Sequence, residues 1–183
     1  GTLLSHLQLD GNRVRAALNV ITKTFCDYVS EILNVGAAGI FFATTAWGTT
    51  DRLTEDEYDN FGRPYDLQIL ESARDAWFNV LHVCKNNNML SKLANYPVHA
   101  INWDSHAPGN SSLEEARAFL DKVAMGGVSR ENLLNLDPLE IQSEIANVIR
   151  DSGNNPIIIA PNCSISPRCP EANLSALVET LNM

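Results

Sequence analysis

Five short apolar runs, each followed by a polar loop and then a helical segment, constrain the fold of this chain more than any other feature. They cover residues 39–43, 78–82, 98–103, 123–128 and 157–160. The runs are too continuously apolar to alternate between a wet and a dry face, which is the pattern of strands buried on both sides. Between them, apolar residues return at helical spacing. Residues 13–33 place Val14, Leu18, Ile21, Phe25, Tyr28 and Val29 on one stripe, with Gly36 as a stop signal just beyond. The acidic stretch Thr54-Glu55-Asp56-Glu57 reads as a helix start, where carboxylates suit the positive dipole end. A further helix is expected over 64–77.

Later helices announce themselves by their caps. Ser112 and Glu115 form a capping box that turns Ala116, Phe119 and Leu120 inward. Asp137, Pro138 and Glu140 open another helix, whose expected buried stripe is Ile141, Ile145, Val148 and Ile149. The last helix begins at Pro170 and is expected to bury Leu174, Leu177, Val178 and Leu181. Residues 1–12 carry no clear pattern beyond a turn at Asp10-Gly11-Asn12. About five strands alternating with helices imply an α/β fold with a parallel sheet, read as one domain over 1–183.

Composition narrows the function classes. A net charge of −9 argues against nucleic acid, because a phosphate footprint needs clustered Lys and Arg. No apolar run approaches the length of a membrane span, and the first residues lack a signal-peptide pattern, so a cytoplasmic protein is expected. In that setting four cysteines read as reduced thiols or metal ligands sooner than as a disulfide framework.

Chemistry concentrates at two strand ends. His82-Val83-Cys84 closes the second run, and Cys163 follows the fifth. Strand ends converge on one face of a parallel α/β fold, so these distant residues can meet around one ion. Two thiols and one imidazole make a tetrahedral zinc site with one position open, the arrangement of a catalytic zinc. Cys26, beside the first helical stripe, reads as a buried thiol. Cys169, six residues after Cys163, reads either as a substitute ligand or redox partner, or as a helix-terminus cysteine without a chemical role. His99 reads as a packing residue inside a strand. Trp47, in the loop after the first run, reads either as the wall of a substrate pocket or as plain packing. His106 reads as a substrate contact or a solvated loop residue. Asp104 is open between binding metal, binding substrate and capping the turn at Ser105.

His82-Val83-Cys84, the strand ending at Asp104, and the run from Cys163 to Leu174 resemble the C-terminal half of the uroporphyrinogen decarboxylase superfamily. The decarboxylases carry a histidine where this chain has Cys163. A cysteine there marks the zinc branch, which holds methylcobamide:coenzyme M methyltransferases, related corrinoid methyltransferases and, more distantly, cobalamin-independent methionine synthase. The resemblance implies His82, Cys84 and Cys163 as zinc ligands. Asp104 falls near the acidic fourth ligand of the methionine synthase relatives, which makes it the candidate catalytic residue. Two features depart from the family pattern. Lys85 stands where a glycine usually follows the cysteine, and the chain has about half the length of the family's barrel.

The resemblance thus implies the C-terminal portion of a TIM (β/α)8-type barrel and a zinc-dependent methyltransferase. The implied reaction moves a methyl group from a corrinoid, or another donor, to a small-molecule thiol, with a corrinoid protein as partner. The alternatives are a metal-free decarboxylase-like lyase and a non-catalytic half-barrel. Because a half-barrel leaves sheet edges open, pairing with a second copy or with a missing N-terminal half is expected.

Overall fold

The computed structural model describes residues 2–181. Five parallel strands form one open sheet in the order β1-β2-β3-β4-β5. They are β1 (Phe41–Ala43), β2 (Val80–Val83), β3 (Ala100–Trp103), β4 (Val123–Val128) and β5 (Ile157–Pro161). Each consecutive pair is hydrogen-bonded in parallel, and helices alternate with the strands, giving part of a (β/α) barrel. The register aligns Ala43 with His82, His82 with Asn102, and Asn102 with Met125, so the strand ends that carry chemistry lie side by side.

Burial follows position in the sheet. All residues of β2 and β3 are buried, whereas Phe41 and Ala43 of the edge strand β1 are exposed. The main core gathers Leu81, Val83, Ile101 and Trp103 from the central strands with Leu90, Leu93 and Tyr96 from the segment between them. A second core packs Val128, Leu133, Ile141, Ile145 and Ala176. Side chains of this size each contribute about 1.5–3 kcal/mol when removed from water.

The helices start where the caps placed them. Thr54 caps α3 (Glu55–Phe61), Ser112 caps α6 (Leu113–Ala116) and Asp137 caps α8 (Pro138–Ser152), each in a reciprocal capping box. Other boundaries differ from the sequence expectation. Residues expected to be featureless form α1 (Thr2–Leu9), and Asp10, expected in a turn, caps α2 (Gly11–Asn34) by accepting from the Arg13 N–H. The helix expected over 64–77 ends early, as α4 (Arg63–Ser72), and leaves Trp77 80% exposed. One short helix, α7 (Arg130–Asn135), follows β4 and was not anticipated.

Several apolar stripes do not face a core. In α8, Ile141 and Ile145 are buried but Ile149 is exposed. In α9 (Glu171–Thr180) the buried side chains are Asn173 and Ala176, while Leu174 and Val178 are exposed, as is Leu181 just after it. Ile21, Phe25 and Tyr28 of α2 are each at least half exposed, and Phe119 is also exposed. The expected stripes are real as patterns, but this open sheet supplies partners for only part of them. Among the described residues no helix is long and apolar enough to cross a membrane.

Candidate metal centre

The three ligands predicted from sequence meet at the C-terminal ends of β2 and β5. His82 is buried within β2, Cys84 follows it by two residues, and Cys163 follows β5 by two. Cys84 Sγ lies 3.8 Å from Cys163 Sγ, and Cys163 Sγ lies 3.6 Å from His82 Nε2. All three donor atoms fall within 4.8 Å of one another, and among the described residues this is the group with metal-ligand character. Zinc–sulfur bonds of about 2.3 Å and zinc–nitrogen bonds of about 2.0 Å, in a tetrahedron, put two sulfurs about 3.8 Å apart and sulfur about 3.5 Å from nitrogen. The side chains present therefore fit zinc.

The backbone around the ligands is tied down from several sides. Thr44 donates its N–H to the His82 carbonyl at 3.1 Å, and Phe41 stacks on the His82 ring with centroids 5.7 Å apart. Asn110 donates to the carbonyls of both Lys85 and Asp104, joining the loops after β2 and β3. Asn162, almost fully buried, donates its N–H to the Val128 carbonyl, and its side chain accepts from the Arg130 N–H. That fixes the residue before Cys163. Lys85 adopts φ +75°, in the left-handed region that favours glycine.

Electrostatics favour the neutral forms of Cys84 and His82 in the metal-free protein. Burial, and then the neighbouring Cys163 thiol, raise the Cys84 pKa above its ordinary value, with Lys85 opposing weakly. Burial lowers the His82 pKa, and its hydrogen bond to Asn102 opposes that shift. His82 therefore stays uncharged near neutrality with a ring lone pair free for a ligand bond.

The remaining candidates lie elsewhere or are otherwise engaged. Asp104 accepts the His106 N–H with Oδ1 at 3.1 Å, closing the turn at Ser105, and is not one of the grouped donors. His106 is exposed, and its Nε2 sits 3.2 Å from the Gly127 carbonyl oxygen. Trp47, half-buried, packs against the main core and also lines a cavity of about 560 Å3 with Thr44, Tyr58 and Asp66. His106 borders a different cavity, of about 520 Å3, between the β4–β5 side of the sheet and α6. The structure thus does not bring Trp47 and His106 to one cavity. His99 accepts the Asn79 N–H and stacks on Phe78, a satisfied packing role. Cys169 donates to the Leu133 carbonyl, Cys26 to that of Gln68, and neither joins the metal group.

Two sets of polar residues escaped sequence reasoning. Asn102, beside His82, is one. The other is the trio in which Tyr58 and Tyr96 both donate to Asp66 Oδ2, at 2.6 and 2.9 Å. Burial raises the Asp66 pKa, while the two phenol donors and Arg63 pull it down. Neither set has a sequence signature, because buried Asn and Tyr are recognisable only by their partners.

Comparison with known proteins finds relatives over most of the chain. The chain is 25% identical over 169 residues to a uroporphyrinogen decarboxylase of Synechococcus sp., an alignment covering 90% of this chain and 46% of that protein. Its fold is similar to that of a methyltransferase from Methanosarcina mazei, with a TM-score of 0.76 at 22% identity, over 91% of this chain and 48% of the other. The chain thus spans about half the length of each. The family profile described as uroporphyrinogen decarboxylase matches residues 2–183, nearly the whole chain. With that profile match, the chain belongs to the uroporphyrinogen decarboxylase family.

Proposed function

We propose that this chain supplies the thiol-activating half of a methyltransferase, with zinc held by His82, Cys84 and Cys163. The observation that carries this reading is the donor triangle, whose 3.8 and 3.6 Å edges match a tetrahedral zinc with one position free. When bound, zinc lowers the pKa of a substrate thiol and keeps it as a thiolate at neutral pH. Two cysteinates and a neutral imidazole leave that thiolate electron-rich, because they nearly cancel the ion's charge. A substrate thiol bound there would give up its proton to solvent. Its sulfur lone pair forms the new S–CH3 bond, and the electron pair of the breaking donor–CH3 bond stays on the donor. A corrinoid, or a corrinoid protein, would suit the donor role, supplying a methyl group that can be taken without its bonding pair. Trp47 packs against the main core and lines one cavity, and His106 borders a separate one. Neither cavity is lined by His82, Cys84 or Cys163, so the reading rests on the three ligands alone. Asp104 holds the turn that carries His106, with its charge near His82.

The similarity to a uroporphyrinogen decarboxylase supports a second reading, a metal-free lyase. Three converging soft and imidazole donors weigh against it. Elemental analysis of protein purified without added metal separates the two. About one zinc per chain supports the methyltransferase reading, and metal-free protein that also fails to take up added zinc overturns it.

A further inference from the structure

We infer that Asn102 is the positioning residue of the metal centre, fixing His82 in the tautomer that leaves the Nε2 lone pair facing Cys163. The inference rests on the proposed zinc site and concerns how the chain prepares it before an ion arrives. Asn102 lies on β3 directly in register with His82 on β2. Its Oδ1 is 2.6 Å from His82 Nδ1, and the residue is 3% exposed, so water does not compete.

The orientation of the amide is set from its other end. Asn102 Nδ2 donates to the Met125 carbonyl at 2.9 Å and to the Pro161 carbonyl at 3.2 Å. Both partners accept only, and an amide nitrogen has two hydrogens to give. Flipping the amide sets Oδ1 against two carbonyl oxygens and loses both bonds. Oδ1 is therefore held toward His82 as a pure acceptor, and His82 Nδ1 must donate. A neutral imidazole carries one ring proton, so Nε2 is left with its lone pair, 3.6 Å from Cys163 Sγ.

The same side chain ties the two ligand-bearing strand ends together. Pro161 belongs to β5, two residues before Cys163, and Met125 belongs to β4. One buried amide thus links β2, β4 and β5 through β3. It fixes the direction of the His82 lone pair and the position of the strand end that presents Cys163. The stacking of Phe41 on the His82 ring adds a second restraint on its plane.

Long-range proton–nitrogen correlation spectra of the zinc-free, histidine-labelled chain test this directly, with the His82 signals assigned by their loss in His82→Gln. The expected spectrum shows Nδ1 protonated and Nε2 unprotonated as one dominant form. A proton on Nε2, or an averaged mixture of tautomers, overturns the inference. In Asn102→Leu the dominant form should be lost and the zinc dissociation constant should rise about 10–100-fold, the usual range for residues that orient ligands. Asn102→Asp keeps an acceptor for Nδ1 but turns a second oxygen toward the Met125 and Pro161 carbonyls. Where it folds it should keep Nδ1 protonated at a cost in stability, and a folded Asn102→Asp with Nε2 protonated overturns the inference. An Asn102→Leu protein that folds and keeps both tautomer and affinity also sinks it. Should neither variant fold, the wild-type spectrum still decides. If His82 shows the expected tautomer but the chain takes up no zinc, the zinc reading fails while the role of Asn102 toward His82 stands.

Discussion

Cys84 and Cys163 stand 79 positions apart in sequence, yet their sulfurs are 3.8 Å apart. Parallel strands make that meeting, because β2 and β5 end at the same edge of one sheet and each releases its cysteine just past its last residue. No disulfide is needed to hold the two thiols there. Asn110, Asn162 and Asn102 fasten the surrounding backbone through buried or half-buried amides.

The ligand assignment predicts a sharp pattern of metal loss. His82→Ala, Cys84→Ala and Cys163→Ala should each lose most bound zinc, measured by elemental analysis after dialysis. Cys26→Ala and Cys169→Ala should keep it, because their thiols bond to the carbonyls of Gln68 and Leu133, away from the centre. Comparable loss in Cys169→Ala and Cys163→Ala contradicts the assignment of the third ligand.

Zinc affinity should fall as the pH falls. The Cys84 pKa is raised, so at neutral pH the metal-free protein carries that proton and zinc must displace it. Each displaced proton weakens binding by about tenfold per pH unit on the acid side. The His82 pKa is lowered, so the folded protein holds no second ring proton there near neutrality. His82 steepens the curve only at a pH below the ordinary histidine value of about 6.5. Competition with a chromophoric chelator from pH 9 to pH 5 measures this, and a flat profile contradicts it.

Asp66 should matter for stability far more than its solitary carboxylate suggests. Asp66→Ala removes the shared acceptor of the Tyr58 and Tyr96 hydroxyls, which then have only each other. At least one buried donor is left unsatisfied, at a cost of about 1–3 kcal/mol. Burial, with the nearby Asp66 charge, raises both phenol pKa values far above the usual range. The folded chain thus holds these protons more tightly than the unfolded one. That contribution is complete below about pH 10 and is lost as the pH rises beyond it. An alkaline melt followed by tyrosinate absorbance should show both rings ionising only with unfolding. In Asp66→Ala a drop in stability smaller than about 1 kcal/mol contradicts the network's role.

Lys85→Gly should stabilise the protein. A left-handed conformation costs a residue with a side chain about 1–2 kcal/mol. Glycine returns roughly 0.5–1 kcal/mol of that through the greater freedom of the unfolded chain. The net gain of about 0.5–1 kcal/mol should raise Tm by roughly 1–4 °C. An unchanged or lower Tm by calorimetry shows that Lys85 makes compensating contacts.

Exposed apolar side chains predict association. Ile21, Phe25 and Tyr28 on α2 and Phe41 on the edge strand β1 are all at least half exposed, beside a cavity they line. Unpaired strand edges and apolar patches of this kind drive pairing. Light scattering on a sizing column at micromolar concentration should give a mass above that of one chain, and Phe25→Asp should reduce it. A monodisperse 20.1 kDa species for the wild type contradicts the prediction.

The sequence by itself determined the α/β alternation, the approximate strands, the helix caps and the His82-Cys84-Cys163 trio. All of these are local or chemical signals. Apolar runs, Ser112, Thr54 and Asp137 act on neighbours a few residues away, and thiols beside an imidazole at strand ends are chemically distinctive. Tertiary structure alone decided the rest. Whether Ile149, Leu174 or Phe25 is buried depends on which surfaces the open sheet leaves for them to cover, and periodicity cannot report a missing partner. Asn102 reads in sequence as one more strand asparagine. It becomes a brace only when the register sets it beside His82 and the sheet brings the Met125 and Pro161 carbonyls within reach of its amide.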